Sequence, residues 1–341
     1  MKYKITALAL LCVLLAYQVL PVPQASARSP FFPNRYVAET VSHVLGKPVE
    51  DITEEDIASM EALILPGHLL LNISFLKYYT GLKTLNLNDN PNIVDISPLA
   101  SLKNLKELAL NRCDIQDLSP LAELDSIETL GLRGNRRISD LTPLQNLSSL
   151  DFLAINSCQV TDLSPLRNLR ALTTLLVSYN EIEDLDALAN LENLQLLGLA
   201  ANPIHDLSPL ANQKHLAYLD LSWNPGIKNF SVLKGFQELC ELYLDGTGIQ
   251  DLEFVQGLER LEMLTVSRNQ ITNIEPLSGL HGLEQLSIEL NQISDFSPLQ
   301  ELRYLSLLIY GNNPVEREQV EELRQRGVTC YWSGEMGDML K

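Results

Sequence analysis

Apolar residues follow one fixed pattern along most of this 341-residue chain. The pattern is L-x-x-L-x-L-x-x-N-x-I-x-D-L-x-P-L-x-x-L-x-x, and it recurs every 22 or 23 residues, as in 194–215. A repeat of this length is typical of solenoids, in which each unit buries its apolar face against the next. The units begin at Leu82, Leu105, Ile127, Leu150, Leu172, Leu194, Leu216, Leu239, Leu261, Leu283 and Leu305.

Each unit combines a strand pattern with a helix-start pattern. The alternation in L-x-x-L-x-L predicts a short strand with leucines inward, and stacked units then form one parallel sheet. The D-L-S-P-L half predicts one short helical turn on the opposite, convex side, with Ser or Thr as the N-cap and Pro in the first turn. The predicted capping residues are Ser97, Ser119, Thr142, Ser164, Ser208 and Ser297.

Two polar ladders run through the units. We expect the asparagines to pair with backbone groups where the chain leaves the strand: Asn90, Asn135, Asn180, Asn202, Asn224, Asn269, Asn291 and Asn313. Cys113, Cys158 and Thr247 replace Asn in three units, and these weaker partners predict looser coils there. A ladder of single aspartates, which includes Asp95 and Asp117, is interpreted as turn carboxylates that accept nearby amides and not as calcium sites.

The sequence before and after the repeats predicts a leader and two caps. Residues 1–27 have the form of a secretory signal: Lys2 and Lys4, an apolar run, and a small-residue site that ends at Ala27. An uncleaved membrane anchor is the alternative, but the run is shorter than a spanning helix needs. We expect an N-terminal helical cap over 28–59, about twelve coils over 60–313, and a C-terminal cap and tail over 314–341.

These features resemble the internalins, bacterial proteins with 22-residue leucine-rich repeats. The resemblance covers about 52–332 and depends on the ITEEDIASMEAL entry, the N-x-I-x-D-L-S-P-L core and the exit L-R-Q-R-G-V-T. It implies an α/β solenoid, a leucine-rich-repeat horseshoe with a parallel concave sheet. It also implies a secreted or surface module that binds another protein, often a host receptor, on the concave side. No Ig-like domain and no wall-sorting motif follows the repeats, so the resemblance favours binding rather than invasion.

The outward-facing positions of the middle units carry large and acidic residues. We take these as the third, fifth, seventh and eighth residues of each unit, where a strand does not require apolar side chains and where aromatics often mark contact sites. The alternative is that Tyr and Phe simply favour strands and pack within the face. The predicted partner-binding residues are Phe152, Leu176, Tyr179, Leu196, Tyr218, Asp220, Trp223, Glu241, Tyr243, Asp245 and Met263.

Charge and motifs narrow the classes of function. The formal charge of −18 disfavours nucleic acid and anionic lipid as partners. No zinc-protease, nucleophile-elbow, phosphate-loop or dinucleotide motif occurs, so we expect no enzyme, no cofactor and no metal. Cys113 and Cys158 lie two coils apart, too far for a disulfide, and free thiols are expected. No later segment is long and apolar enough to span a membrane.

The sequence therefore predicts an exported monomer, secreted, surface-displayed or periplasmic, that binds a protein partner through its concave face. Two other functions stay open at this stage. One is an envelope-assembly or structural component, and the other is a glycan-binding module that uses aromatic stacking.

Overall fold

The computed structural model describes residues 30–67 and 70–332, and within them the repeats form a single solenoid. Thirteen short parallel strands follow one another in chain order across one open sheet. The predicted secretory signal over 1–27 lies outside the described residues. The strands are β1 Ala62–Ile64, β2 Thr84–Asn86, β3 Glu107–Ala109, β4 Thr129–Gly131, β5 Phe152–Ala154, β6 Thr174–Leu176, β7 Leu196–Gly198, β8 Tyr218–Asp220, β9 Glu241–Tyr243, β10 Met263–Thr265, β11 Gln285–Ser287, β12 Leu307–Ile309 and β13 Thr329–Tyr331.

Each of β1–β12 belongs to one coil of the solenoid, and we number the coils 1 to 12 in chain order. The central leucine of each of β1–β11 pairs in register with that of the next strand, as Leu219 does with Leu242. These leucines are buried, and so are the residues at the apolar repeat positions of the degenerate coil 1, namely Met60, Leu63, Leu65, Leu70, Ile73, Leu76 and Tyr79. The predicted horseshoe with a parallel concave sheet is therefore confirmed.

Short 3-10 turns lie on the convex side, and α-helices lie at the two ends. The helices are α1 Arg35–Leu45, α2 Glu54–Ser59 and α3 Arg317–Gln325. The 3-10 turns in the described residues are Val49–Asp51, Ser74–Tyr78, Ser97–Ser101, Ser119–Leu121, Thr142–Leu144, Ser164–Leu166, Asp186–Asn190, Ser208–Asn212, Ser231–Gly235, Glu253–Val255, Glu275–Leu277 and Ser297–Glu301.

Buried asparagines at the ninth position of the units hold neighbouring coils together. In coil 6, the Asn180 Nδ2 donates to the carbonyl oxygens of Val177 in its own coil and Ile155 in the preceding coil, each at 2.9 Å. The Asn180 Oδ1 accepts from the Val160 N–H, 3.0 Å away in the preceding coil. One side chain thus satisfies three buried backbone groups, and the other seven predicted asparagines repeat the arrangement.

The three units without this asparagine are those that follow a 23-residue unit. The extra residue lengthens the turn, and Ile93, Ile138 and Ile227 there donate their N–H groups to the asparagine carbonyl oxygen of their own turn. The next coil therefore needs no acceptor at its ninth position, where Cys113, Cys158 and Thr247 stand. We expected looser coils because these are weaker partners. The longer turn leaves no isoleucine amide that requires one, so the weaker side chain leaves no isoleucine amide unpaired there.

The corner between coils 8 and 9 has the fewest hydrogen bonds of this kind. The Thr247 hydroxyl donates within its own coil, to the Leu244 carbonyl oxygen at 2.8 Å. The Gly248 N–H donates forward to the Asn269 Oδ1 at 2.8 Å and not back to Ile227. A cavity of about 480 Å³ opens beside this corner. The rings of Phe230 and Phe254, with centroids 5.2 Å apart, stack across it.

Aspartates, and not the predicted serines and threonine, cap the 3-10 turns. Ser97 is the first residue of its turn, and the Asp95 Oδ1 accepts its N–H at 2.8 Å. Hydrogen bonds from Ser97 hold the pKa of Asp95 below its ordinary value. Five other aspartates cap the other predicted positions, and Asp184 and Asp251 do the same. The serine N-cap prediction was wrong because the turn begins at the serine, two residues after the acceptor.

Helices lie at both ends of the sheet, in the segments where the sequence predicts caps. Thr53 and Asp56 form a reciprocal capping box at the start of α2. The Tyr79 hydroxyl donates to the Phe31 carbonyl oxygen at 3.1 Å, which joins the N-terminal segment to coil 1. At the other end α3 precedes β13, which pairs with β12. The cysteines in the described residues are free thiols, as expected.

One buried polar side chain breaks the apolar pattern of the convex turns. Gln213 is fully buried at a position where most other units have leucine. Its Nε2 donates to the Leu188 carbonyl oxygen at 2.7 Å, whereas its Oε1 has no hydrogen-bond partner. The Leu188 carbonyl also accepts from the Leu191 N–H, so it does not depend on Gln213.

The asparagine ladder predicts unequal costs for substitution at the ninth position. Asn180→Ala leaves the Ile155 carbonyl and the Val160 N–H unpaired, and we expect it to lower the free energy of unfolding by roughly 2–6 kcal/mol, at about 1–3 for each buried group. Cys158→Ala removes only a weak donor to Leu132 and should cost about 1 kcal/mol. Urea unfolding followed by circular dichroism measures both, and equal costs would contradict the role of the amide.

Gln213→Leu should raise the stability of the solenoid. The change removes the unpaired Oε1 and restores the leucine of the neighbouring units, and burying such a polar atom costs about 1–3 kcal/mol. We expect a gain of that size in urea unfolding, with Gln237→Leu, at an exposed position, as a control that does not stabilise. A less stable Gln213→Leu variant would show that the glutamine has a partner that matters.

Candidate functional site

The concave face of coils 5–10 presents the predicted residues as one continuous surface, which we call the concave strip. The third residues of the units form one row, and Tyr218, Glu241 and Met263 are directly paired neighbours in it. The fifth residues form a parallel row, in which Asp220 lies beside Tyr243. The strip consists of Phe152, Leu176, Tyr179, Leu196, Tyr218, Asp220, Trp223, Glu241, Tyr243, Asp245 and Met263.

Two tyrosines and two acids alternate across β8 and β9. The rings of Tyr218 and Tyr243 lie on a diagonal with centroids 5.1 Å apart and planes tilted by 42°. The Tyr243 hydroxyl donates to the Glu241 Oε2 at 2.8 Å and also contacts the Met263 sulfur at 2.9 Å. Burial raises the pKa of both tyrosine hydroxyls, so both stay protonated as donors at neutral pH.

The eighth residue of each unit has a left-handed backbone. Tyr179 and Trp223 have φ angles of 58° and 60°, although bulky side chains rarely adopt this conformation. Glycine would remove the steric cost of about 1–2 kcal/mol. Both side chains are largely exposed, Tyr179 at 61% and Trp223 at 49%, so packing in the core does not account for them. They are the most exposed members of the concave strip.

Glycines on the next coil leave space for the side chains of Trp223 and Leu176. A Cβ atom on Gly246 would lie 2.8 Å from the Trp223 ring, so the indole rests against the backbone of coil 9. A Cβ atom on Gly198 would lie 3.0 Å from Leu176. The sequence interpretation missed this arrangement, although a glycine one unit after each large residue could have indicated it.

The seventh position differs from its prediction. Ser178, Ser222 and Ser267 are buried there and do not face outward, whereas Asp245 at the same position of coil 9 is half-buried and Arg133 in coil 4 is exposed. The Ser178 Oγ accepts the Ala200 N–H at 3.1 Å, and the Ser222 Oγ accepts the Asp245 N–H at 3.2 Å. The position therefore forms a second ladder between coils. It lies beyond the strands, which end at the fifth residue, so the alternation of a strand does not extend to it.

Two half-buried carboxylates of the strip form no ion pair within the described residues. The Asp220 Oδ1 accepts the Ser222 N–H at 3.0 Å, and the Asp245 Oδ1 accepts the Ser267 N–H at 2.7 Å. Neither carboxylate takes part in an ion pair among residues 30–67 and 70–332. Burial raises the pKa of both groups above the ordinary 3.8 despite these hydrogen bonds.

The charge on the concave face changes along the solenoid. Near the N-terminus Arg112 pairs with Asp89, one coil away, and Arg133 is exposed. Acids then dominate coils 8 and 9. The third, fifth and eighth residues of coils 5–7 carry no charge: Phe152, Ala154, Ser157, Thr174, Leu176, Tyr179, Leu196, Gly198 and Ala201.

Neither a metal centre nor a spanning helix is found in the part of the chain that the structure describes. No group of three or more His, Cys, Asp or Glu side chains there is arranged to hold a metal ion. The aspartates of the convex ladder each accept a turn amide, as the sequence predicted. No helix in these residues is long and apolar enough to cross a bilayer.

Comparison with known proteins agrees with this architecture. The family model described as Leucine Rich repeats (2 copies) matches residues 80–123, 103–146, 170–212 and 259–301. No curated protein sequence matches the chain. A solved internalin (inlF) from Listeria monocytogenes is 33% identical, with a TM-score of 0.78 over 90% of this chain and 98% of that one.

Two more distant structures show the fold alone. A leucine-rich-repeat protein from Leptospira interrogans is 22% identical, with a TM-score of 0.64 over 77% of this chain and 76% of that chain. The ectodomain of a plant membrane receptor kinase from Arabidopsis thaliana is 24% identical, with the same TM-score over 76% of this chain and 34% of its own.

The pKa of Asp220 predicts a pH-dependent gain from neutralising it. A carboxyl with a raised pKa in the folded state makes the protein less stable as pH rises through that pKa. Asp220→Asn keeps an oxygen for the Ser222 N–H and removes the charge. We expect it to be more stable than the parent at pH 7, with the difference shrinking as pH falls toward 3.8. Urea unfolding across this range measures the difference, and Asp125→Asn, an exposed site, is the control. A pH-independent difference would contradict the assignment.

Proposed function

Because this chain belongs to the internalin-like leucine-rich-repeat proteins, we propose that it is an exported module that binds a protein partner through the concave strip. Export is supported by the leader-like residues 1–27, with Lys2 and Lys4 ahead of an apolar run and a small-residue site at Ala27. Solenoids of this kind commonly use their concave surface to bind other proteins.

The proposal depends mainly on Tyr179 and Trp223, whose backbones are in the left-handed conformation. Their side chains are exposed, cost conformational energy at their positions and add little to the core. Aromatic residues of this kind account for much of the binding energy at protein interfaces. The simpler interpretation, that aromatics favour strands, does not apply to them because both lie beyond the end of their strand.

The rest of the concave strip has the composition of an interface. Leu176 and Leu196 belong to coils 6 and 7, whose third, fifth and eighth residues carry no charge. Tyr218 and Tyr243 offer hydroxyl groups beside carboxylates. An apolar centre beside polar groups is the usual anatomy of a protein–protein contact. We propose binding without catalysis.

Substitution of Trp223 tests this function. Trp223→Gly removes the indole and also relieves the left-handed strain, so the thermal midpoint should stay close to that of the parent. Capture of the partner should fall about thirtyfold or more, the size of a hot-spot loss of about 2 kcal/mol. The matched control is Tyr304→Ala, because Tyr304 is 69% exposed but lies outside the concave face.

The measurement is affinity capture with the purified protein and its two variants, followed by mass spectrometry. One extract is the envelope of the producing cell, and the other is a host-cell extract. We expect at least one protein that the parent and Tyr304→Ala retain and Trp223→Gly loses. If every captured protein binds all three baits equally, the concave strip is not the contact surface. Binding on a glycan array that depends on Trp223 would favour the glycan alternative.

A further inference from the structure

The concave strip is uneven in charge, and this unevenness bears on the chemistry of its partner. In coils 5–7 the strip is apolar or uncharged. In coils 8 and 9 it holds Asp220, Glu241 and Asp245. Farther toward the N-terminus, Arg112 is already matched by Asp89. The charge of the concave strip is therefore negative and concentrated in coils 8 and 9.

We propose that the partner binds as a polypeptide segment that places an Arg or Lys side chain between coils 8 and 9, beside Asp220 and Asp245. Neighbouring apolar side chains of the same segment then cover Leu176 and Leu196. This inference rests on the proposed function, because it names the chemistry of the partner that the same concave strip binds.

The cost of removing water from the carboxylates of Asp220 and Asp245 favours a cationic partner over a neutral one. The carboxylates of Asp220 and Asp245 are already half-buried, and each has a backbone amide as its hydrogen-bond partner but no cation. A neutral or acidic partner that covered them would remove their remaining water without compensation, which is costly. A guanidinium or ammonium group instead forms charge-assisted hydrogen bonds with them.

The aromatic side chains around Asp220 and Asp245 also favour the cationic side chain of an arginine or lysine. The Tyr218 and Tyr243 rings lie beside the carboxylates, and the exposed indole of Trp223 rests against Gly246 one coil on. Aromatic faces attract cations, and the planar guanidinium of arginine both stacks on rings and pairs with carboxylates. Arg268, in coil 10, makes no ion pair with Asp245 within the described residues, so the acid stays available.

A random peptide library tests the proposal without knowledge of the natural partner. Phage-displayed twelve-residue peptides are selected on the purified protein, and the enriched peptides are measured by fluorescence polarisation against four variants. These are the parent, Asp220→Asn/Asp245→Asn, the charge-matched control Asp125→Asn/Glu259→Gln, and Trp223→Gly. Asparagine retains the oxygen that the Ser222 and Ser267 amides need, and circular dichroism verifies that each variant is folded.

The expected result is that enriched peptides carry Arg or Lys next to apolar residues and require Trp223. Their Kd should rise at least tenfold on Asp220→Asn/Asp245→Asn, stay unchanged on the control, and rise with added salt. Neutral or acidic peptides that require Trp223 would overturn the cationic partner and leave the proposed function standing. Failure to enrich any peptide that depends on Trp223 would overturn both.

Discussion

The hydrogen bonds of one buried amide per coil organise this solenoid. A ninth-position asparagine such as Asn180 joins its own coil to the preceding one and leaves no backbone group unpaired at the corner. The strands are three residues long and could not form a sheet alone. Their leucines stay in register because the corners repeat at the same height in every coil. Where the turn is one residue longer, the isoleucine amide is satisfied within its own coil, and the sequence no longer requires asparagine in the next.

The same corner determines how the concave strip, the proposed binding surface, is displayed. The residue just before the ninth position has a left-handed backbone in every coil, and in coils 1 to 11 its N–H donates to a carbonyl oxygen of the next coil. Glycine would be the least costly choice, and Gly134 and Gly246 occur there. Tyr179 and Trp223 occupy the same position without contributing to the core. The fold therefore supplies a fixed row of outward positions whose side chains are free to serve binding.

Much of this architecture could be predicted from the sequence, because a regular repeat makes each position report the same environment many times. The strands, the asparagine ladder and the outward rows of the third and fifth positions all follow from that periodicity. From the sequence we predicted the aspartates only as turn residues and the serines as helix caps. In the structure the 3-10 turn begins at the serine itself, and the aspartate two residues earlier caps it. The buried seventh position and the fit of Trp223 on Gly246 depend on contacts between neighbouring coils, which a pattern within one unit does not reveal. The sequence also did not show that Arg112 is neutralised by Asp89 while Asp220 stays unmatched.

The sparse corner between coils 8 and 9 has a mechanical consequence. Neither the amide of Gly248 nor the side chain of Thr247 reaches back to coil 8, so these two coils are held mainly by their strands and by the small ladder at the seventh position. Tyr218 and Tyr243 face each other across the same junction on the concave side. A ligand that contacts both rings spans the pair of coils with few corner hydrogen bonds and opposes their separation. Binding would then oppose opening of this joint, and slower exchange of the Gly248 amide on its convex side would report the bound state.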